Sequence, residues 1–385
     1  MFLSRRDLLK GYKSATGNVL VCIFQRGAAD GLNCLVPYGD PDYYAKRTRI
    51  AIPPPDQSDG VIDLDGFFGL NPAAESLHAL YAAGRLALVH AAGVPHGTRS
   101  HFDAQARVEE GIATGSALDS GWIGRHLAGT ASTADRPFRA TSLSGSVPTS
   151  LLGAPDPLAV SEIAAFGLGD LGGTPYQDTL AALFREPLPY AGTAQAALAA
   201  MDELAAADPG QFTPANGAEY PDGEAGSKLL QVAQLIKADL GVEVVCLDLG
   251  GWDHHENENS YLPASLGGMA DALLAFDTDL GAQMERVTVI AMTEFGRRVG
   301  DNASNGTDHG TGSLFYALGG GVLGGQIAGV WPGLADTQLA NGEDLAITTD
   351  TRGLLAQCLE RRLANPDALA LFPAYVPDTV PELFV

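Results

Sequence analysis

Four short apolar runs, each ending within two residues of a glycine or a charged side chain, do most to limit how this chain can fold. They are Asn18 to Gln25 (NVLVCIFQ), Leu86 to Ala91, Val242 to Leu249 and Val287 to Met292 (VTVIAM). A strand with one face in water alternates polar and apolar residues, whereas an unbroken apolar run suits a strand covered on both faces. Helical stretches lie between the runs: Pro72 to Ala83, with proline near its first turn, about Lys228 to Asp239, and about Leu266 to Gln283. This alternation predicts an α/β fold, a mostly parallel central sheet flanked by helices on both faces. With 385 residues, 46% of them apolar and 18% charged, the chain has the material for a large core.

Open sheets of this kind bind ligands beyond the carboxyl ends of their strands, where the loops converge. Polar clusters stand at these ends. Asp30-Gly31 follows the first run, Ser100-His101 the second, and Gly250-Gly251-Trp252-Asp253-His254-His255 the third. Thr293-Glu294-Phe295-Gly296-Arg297 follows the fourth, and Gly306-Thr307-Asp308-His309-Gly310 precedes a further run, Ser313 to Leu318. Zinc selects imidazoles and carboxylates, while oxygen-only sets suit magnesium, calcium or manganese. Each cluster has an ordinary reading as well: Asp30 as a turn residue, Ser100 as a helix cap, Arg297 or Asp308-His309 as ion pairs. Their placement on one sheet edge favours a shared site. Residues of about 132–226 are less regular, with an alanine-rich helix near Thr193 to Ala206, and read as an elaboration on one domain spanning 18–385.

Acidic residues outnumber basic ones 46 to 23, for a net charge of -23. Such a surface repels nucleic acid and anionic lipid, and it favours cations wherever carboxylates converge. An anionic substrate then needs a metal or a local arginine. The four cysteines, Cys22, Cys34, Cys246 and Cys358, show no metal-binding spacing. Ser4-Arg5-Arg6-Asp7-Leu8-Leu9-Lys10 matches a twin-arginine export pattern, implying a periplasmic or secreted protein. Gly11 to Gly17 lacks the apolar segment of such a signal, so residues 1–17 read as a leader remnant or a basic first helix, with a cytoplasmic protein as the alternative. No stretch reaches the roughly 20 apolar residues of a membrane span.

The segments RGAADGLNCLVPYGD, TRSHFDAQ, GWIGR, LGGWDHHENE, MTEFGRR, GTDHGTGS and VWPGL, together reaching from Val19 to about Leu363, resemble the family called domain of unknown function 1501. That family is grouped with the alkaline phosphatase and sulfatase-like superfamily. The resemblance implies a three-layer sandwich and a hydrolase of phosphate or sulfate esters using one or two divalent ions, zinc or else calcium, magnesium or manganese. By the same resemblance Asp30, Asp253, His255, Glu294, Asp308 and His309 are metal ligands and Ser100 is the nucleophile. Glu294 takes the place of an aspartate, Phe295 that of the usual histidine, and His309 supplies the late histidine. Arg297, with Arg99 or Arg125, offsets charge on the substrate. Ser100 lacks the Cys/Ser-x-Pro-x-Arg context of sulfatases, so formylglycine is not implied. The competing expectation is a non-catalytic exported binding or assembly protein that keeps the fold and one structural ion.

Overall fold

The computed structural model describes residues 17–130, 136–168, 175–184, 191–377 and 379–385. The twin-arginine pattern lies outside these residues. The main sheet is built from β1 (Val19–Gln25), β2 (Leu86–Gly93), β3 (Ala140–Ser142), β4 (Leu158–Ala159), β5 (Val244–Leu249), β6 (Val287–Thr293), β7 (Ser313–Gly319), β8 (Gln326–Ala328) and β9 (Thr349–Asp350). Their order across the sheet is β8-β2-β7-β6-β1-β5-β3-β4, with β9 also on β2. Only β7 runs antiparallel to its neighbours, β6 and β2. The fold is therefore the mostly parallel α/β sheet that the apolar runs imply.

Strand β1 explains why those runs are unbroken. Val19, Val21 and Ile23 belong to one apolar cluster, which also holds Leu229, Val232, Leu266 and Leu273. Leu20, Cys22 and Phe24 point the other way, into a cluster with Val108, Ile123, Leu355 and Leu359. The first face is covered by α1 (Glu75–Ala82), α4 (Glu224–Lys237) and α5 (Glu258–Leu280). The second is covered by α2 (His101–Glu110), α3 (Trp122–Gly129) and α6 (Thr351–Leu363). Each fully buried valine, leucine or phenylalanine contributes roughly 1.5–3 kcal/mol of hydrophobic free energy, so a β1 buried on both faces anchors both layers.

Strands β3 and β4 fall in the irregular middle region and extend the sheet at one edge. All four cysteines are buried and free; Cys22 and Cys246 lie in register on β1 and β5. Among the described residues no helix is long and apolar enough to cross a membrane.

Candidate metal centre

Three local folds bring imidazoles and carboxylates together at the carboxyl edge of the sheet. The first is α2, which starts beyond the end of β2. Its residues His101, Ala104, Gln105 and Val108 share one helical face, following the i, i+3, i+4, i+7 spacing. Ala104 packs with Ala28 and Phe295, and this seats His101 over the sheet edge. The second is the loop after β5, Trp252 to His255. Gly27, at the end of β1, has φ +123, and a Cβ there would lie 2.6 Å from the backbone N of Asp253. Glycine is required for that approach.

The third is the connection from β6 to β7. Because β7 is antiparallel, the residues before it lie on the same edge as the residues after β6. Arg297 and His309 face each other in an antiparallel bridge. A Cβ on Gly310 would come 2.4 Å from the Arg297 carbonyl carbon, so glycine beside His309 permits the close pairing.

His101, Asp253 and His309 each offer one ligand atom, and these atoms all lie within 4.8 Å of one another. His101 Nε2 is 3.0 Å from His309 Nε2 and 3.5 Å from Asp253 Oδ2, and His309 Nε2 is 3.3 Å from Asp253 Oδ1. His255 adjoins the same group, its Nε2 lying 2.9 Å from His309 Nε2 and 3.0 Å from Asp253 Oδ1.

The outer nitrogens fix the tautomers. His309 Nδ1–H donates to the Arg99 carbonyl at 2.9 Å, and His101 Nδ1–H donates to the Glu294 carboxylate at 2.8 Å. In neutral rings the Nε2 atoms then carry lone pairs, and two such lone pairs meet at 3.0 Å. A cation between them removes the repulsion, as does a proton on His101 Nε2 donated to His309. Ligands about 2.0–2.1 Å from a tetrahedral zinc ion stand about 3.3–3.4 Å apart, close to the separations found here. Anchoring of the second imidazole nitrogen by a carboxylate or a carbonyl is also the usual support of a metal-bound histidine. The residues present fit a divalent ion.

Buried partners set the charges. Glu294 is 1% exposed. Its Oε1 accepts from His101, from Gln105 Nε2 at 2.9 Å and from the Gly27 amide at 3.0 Å, while Oε2 accepts from the Thr293 hydroxyl at 2.8 Å. Burial opposes its ionisation, yet the bonds from His101 and Gln105 bring its carboxyl down to about 2. The hydrogen bond to Glu294 in turn raises His101 from its ordinary value. Burial lowers His309, which favours the neutral, ligating ring. For Asp253, burial is overcome by the Arg297 guanidinium at 2.5 Å, and the carboxyl falls below its ordinary value.

Several residues expected at the centre stand elsewhere. Asp30 is buried, and Arg47 bonds both of its oxygens, one of which also accepts from the Leu32 amide at 3.0 Å. Freeing it for a metal would strand a buried arginine, at a cost of about 3–5 kcal/mol. Glu294 touches His101 from behind and so orients that ring. Arg297 is buried, donating to Asp253 and to the carbonyls of Ala28, Thr307 and Gly27. These bonds make it a positioning residue for Asp253 rather than a group that meets substrate. Arg99 pairs with buried Asp344, and Arg125 donates to backbone carbonyls of Leu371, Ser120 and Glu110. Asp308 is half-exposed, with Oδ1 3.6 Å from His255 Nδ1. Ser100 caps α2, its hydroxyl accepting from the Asp103 amide at a long 3.5 Å.

His101 is the member that the sequence did not single out. Its signal was present in Ser100-His101 at a strand end, but the serine drew the chemical reading. Phe295 packs against both rings, its centroid 5.1 Å from that of His101 and 4.9 Å from that of His309. It braces the two histidines instead of supplying a nitrogen.

TRSHFDAQ, LGGWDHHENE, MTEFGRR and GTDHGTGS lie along these loops, and the family profile described as "Protein of unknown function (DUF1501)" matches residues 86–363. The chain belongs to the DUF1501 family. Within this DUF1501 protein the matched span carries His101, Asp253, His255, Glu294 and His309, while β1 precedes it. No curated protein matches the chain in sequence. Among solved structures, alkaline phosphatase from the Antarctic bacterium TAB5 is similar over 79% of this chain and 92% of that one, with 9% identity and a TM-score of 0.36. A likeness that distant carries no argument about chemistry, which rests on the DUF1501 chain's own residues.

Proposed function

We propose that this protein is a metal-dependent hydrolase of phosphate or sulfate esters with a mononuclear centre. The observation that carries the reading is the convergence of His101 Nε2, His309 Nε2 and an Asp253 oxygen, with both outer ring nitrogens already anchored. His101, Asp253 and His309 would hold the ion, with His255 as an adjoining nitrogen donor. Zinc suits this nitrogen-rich set best. A divalent ion there lowers the pKa of a nearby hydroxyl or water and neutralises charge on the ester oxygens.

The protein's own groups do the rest. Glu294 fixes the His101 ring, the Arg99 carbonyl fixes His309, and Arg297 holds Asp253 ionised. Asp30 is served by Arg47, an internal cation, and this supports one ion rather than two. Ser100 precedes His101 at the start of α2, where free backbone N–H groups favour an oxyanion. Its weak capping bond leaves the hydroxyl free to act as nucleophile.

The test is hydrolysis of a panel of aryl phosphates and sulfates by zinc- or manganese-loaded protein, with Ser100→Ala and Asp253→Ala beside it. Loss of the cap alone costs about 1 kcal/mol of stability, whereas loss of a nucleophile costs orders of magnitude in rate. Turnover that survives Ser100→Ala but not Asp253→Ala would move the nucleophilic role from Ser100 to water. No turnover by loaded, folded protein on any ester would favour the binding-protein reading.

A further inference from the structure

A recess of about 290 Å³ opens beside the centre, lined chiefly by Lys46, Arg298, Asp301, Asn302, Asp308 and Glu343. It shares a wall with the proposed site. Asp308 Oδ1 stands 3.6 Å from His255 Nδ1, and Asn302 Nδ2 donates to the His255 carbonyl at 2.8 Å. His255 thus stands between the recess and the group of His101, Asp253 and His309.

The lining defines what it accepts. It holds two cations and three carboxylates, and both cations are compensated: Arg298 lies 2.9 Å from Glu343 and 3.8 Å from Asp308, while Lys46 pairs with Asp336. Another anion would meet a net negative wall on a protein of charge -23. Leu339 is the sole apolar side chain of the lining, so a flat hydrophobic ring gains little there. The Asn302 amide is engaged within the protein, so the half-exposed carboxylates of Asp308 and Glu343 and the Arg298 guanidinium supply the acceptors and donors, a mixture that hydroxyl groups match.

We infer that this recess binds the alcohol portion of the ester as a hydroxyl-rich, non-anionic group of the sugar class. The inference rests on the hydrolase reading for its biological sense, but the binding itself does not require chemistry.

The test holds the scaffold fixed and changes its charge. Methyl glucoside, glucosamine and glucuronate are titrated into the full-length, zinc-loaded protein and followed by calorimetry. Binding of methyl glucoside and glucosamine is expected, with glucuronate weakest. Glu343→Ala and Arg298→Ala each weaken binding about fivefold, the effect of losing one hydrogen bond, while melting curves show that both variants fold. In His309→Ala sugar binding persists. If the sugar binds to wild type and to His309→Ala while the zinc-loaded wild-type protein turns over no ester, the recess stands and the hydrolase reading falls. Tightest binding of glucuronate, equal binding by both recess variants, or no binding of any of the three overturns the inference.

Discussion

Replacing Glu294 with glutamine separates its expected role as ligand from the orienting role its contacts describe. The substitution keeps the shape and removes the charge. Three donors, His101 Nδ1, Gln105 Nε2 and the Gly27 amide, converge on Oε1, so the glutamine oxygen belongs there. The amide nitrogen then faces Thr293 Oγ1, which already lies 2.8 Å from the Gln25 carbonyl. Thr293, which already accepts from the Ala29 amide, can donate to Gln25 and accept one hydrogen of the new amide. What is lost is the charge assistance to the His101 and Gln105 bonds. We therefore expect Glu294→Gln to cost about 1–2 kcal/mol of stability. Zinc affinity should fall about 10- to 100-fold, the usual effect of losing an outer-shell partner, equivalent to about 1.4–2.7 kcal/mol. Competition against a chromophoric chelator measures the affinity, and a melting curve in chelator isolates the fold. Unchanged affinity would refute the orienting role. Abolished binding in a folded variant would mean that Glu294 is itself a ligand.

Two pH effects follow from buried groups. Glu294 titrates near 2 in the fold against an ordinary 4.5, so its ionised form is stabilised. That stability is full above 4.5 and is lost as pH falls towards 2. The stability advantage of wild type over Glu294→Gln in chelator should therefore be lost as pH falls across that window; a constant difference would contradict the reasoning. His90 is buried against Phe68 and Trp331 with Nδ1 unpartnered, and burial lowers it from 6.5 to about 4. The unfolded chain takes up a proton that the folded ring refuses, so wild-type stability falls as pH drops from 6.5 to 4. His90→Phe should flatten that slope, and an unaltered slope in denaturant titrations would show that other groups set it.

The strands were legible because burial on both faces leaves a one-dimensional trace, the unbroken apolar run. The clusters after β1, β2, β5 and β6 were legible because strand ends place their residues on one edge. The pair Asp308-His309 joined them for a reason that the sequence does not display, the antiparallel course of β7. Helix α5 begins at Glu258, earlier than the periodicity from Leu266 predicts, and runs through Pro263. Proline removes one backbone hydrogen bond, but packing of Leu262, Leu266 and Met269 in the core carries the helix past it.

Roles at the centre were less legible than places. Asp30 resembles a ligand by position, yet its partner Arg47 follows the short helix Pro41–Lys46, and nothing in a linear pattern joins the two. Arg297 is placed by the resemblance to offset charge on a substrate, but close packing of the loops around Gly27 surrounds it with carbonyls. His101 was overshadowed by its neighbour because a serine before a helix has two ready explanations and the next residue seemed to need none.

Elemental analysis of the purified, zinc-equilibrated protein, with Asp253→Ala and His309→Ala measured beside it, tests the central claim most directly. The geometry of His101, Asp253 and His309 predicts about one divalent ion per wild-type chain and its loss from both folded variants. A wild-type chain that retains no ion, or variants that retain as much as wild type, would contradict it.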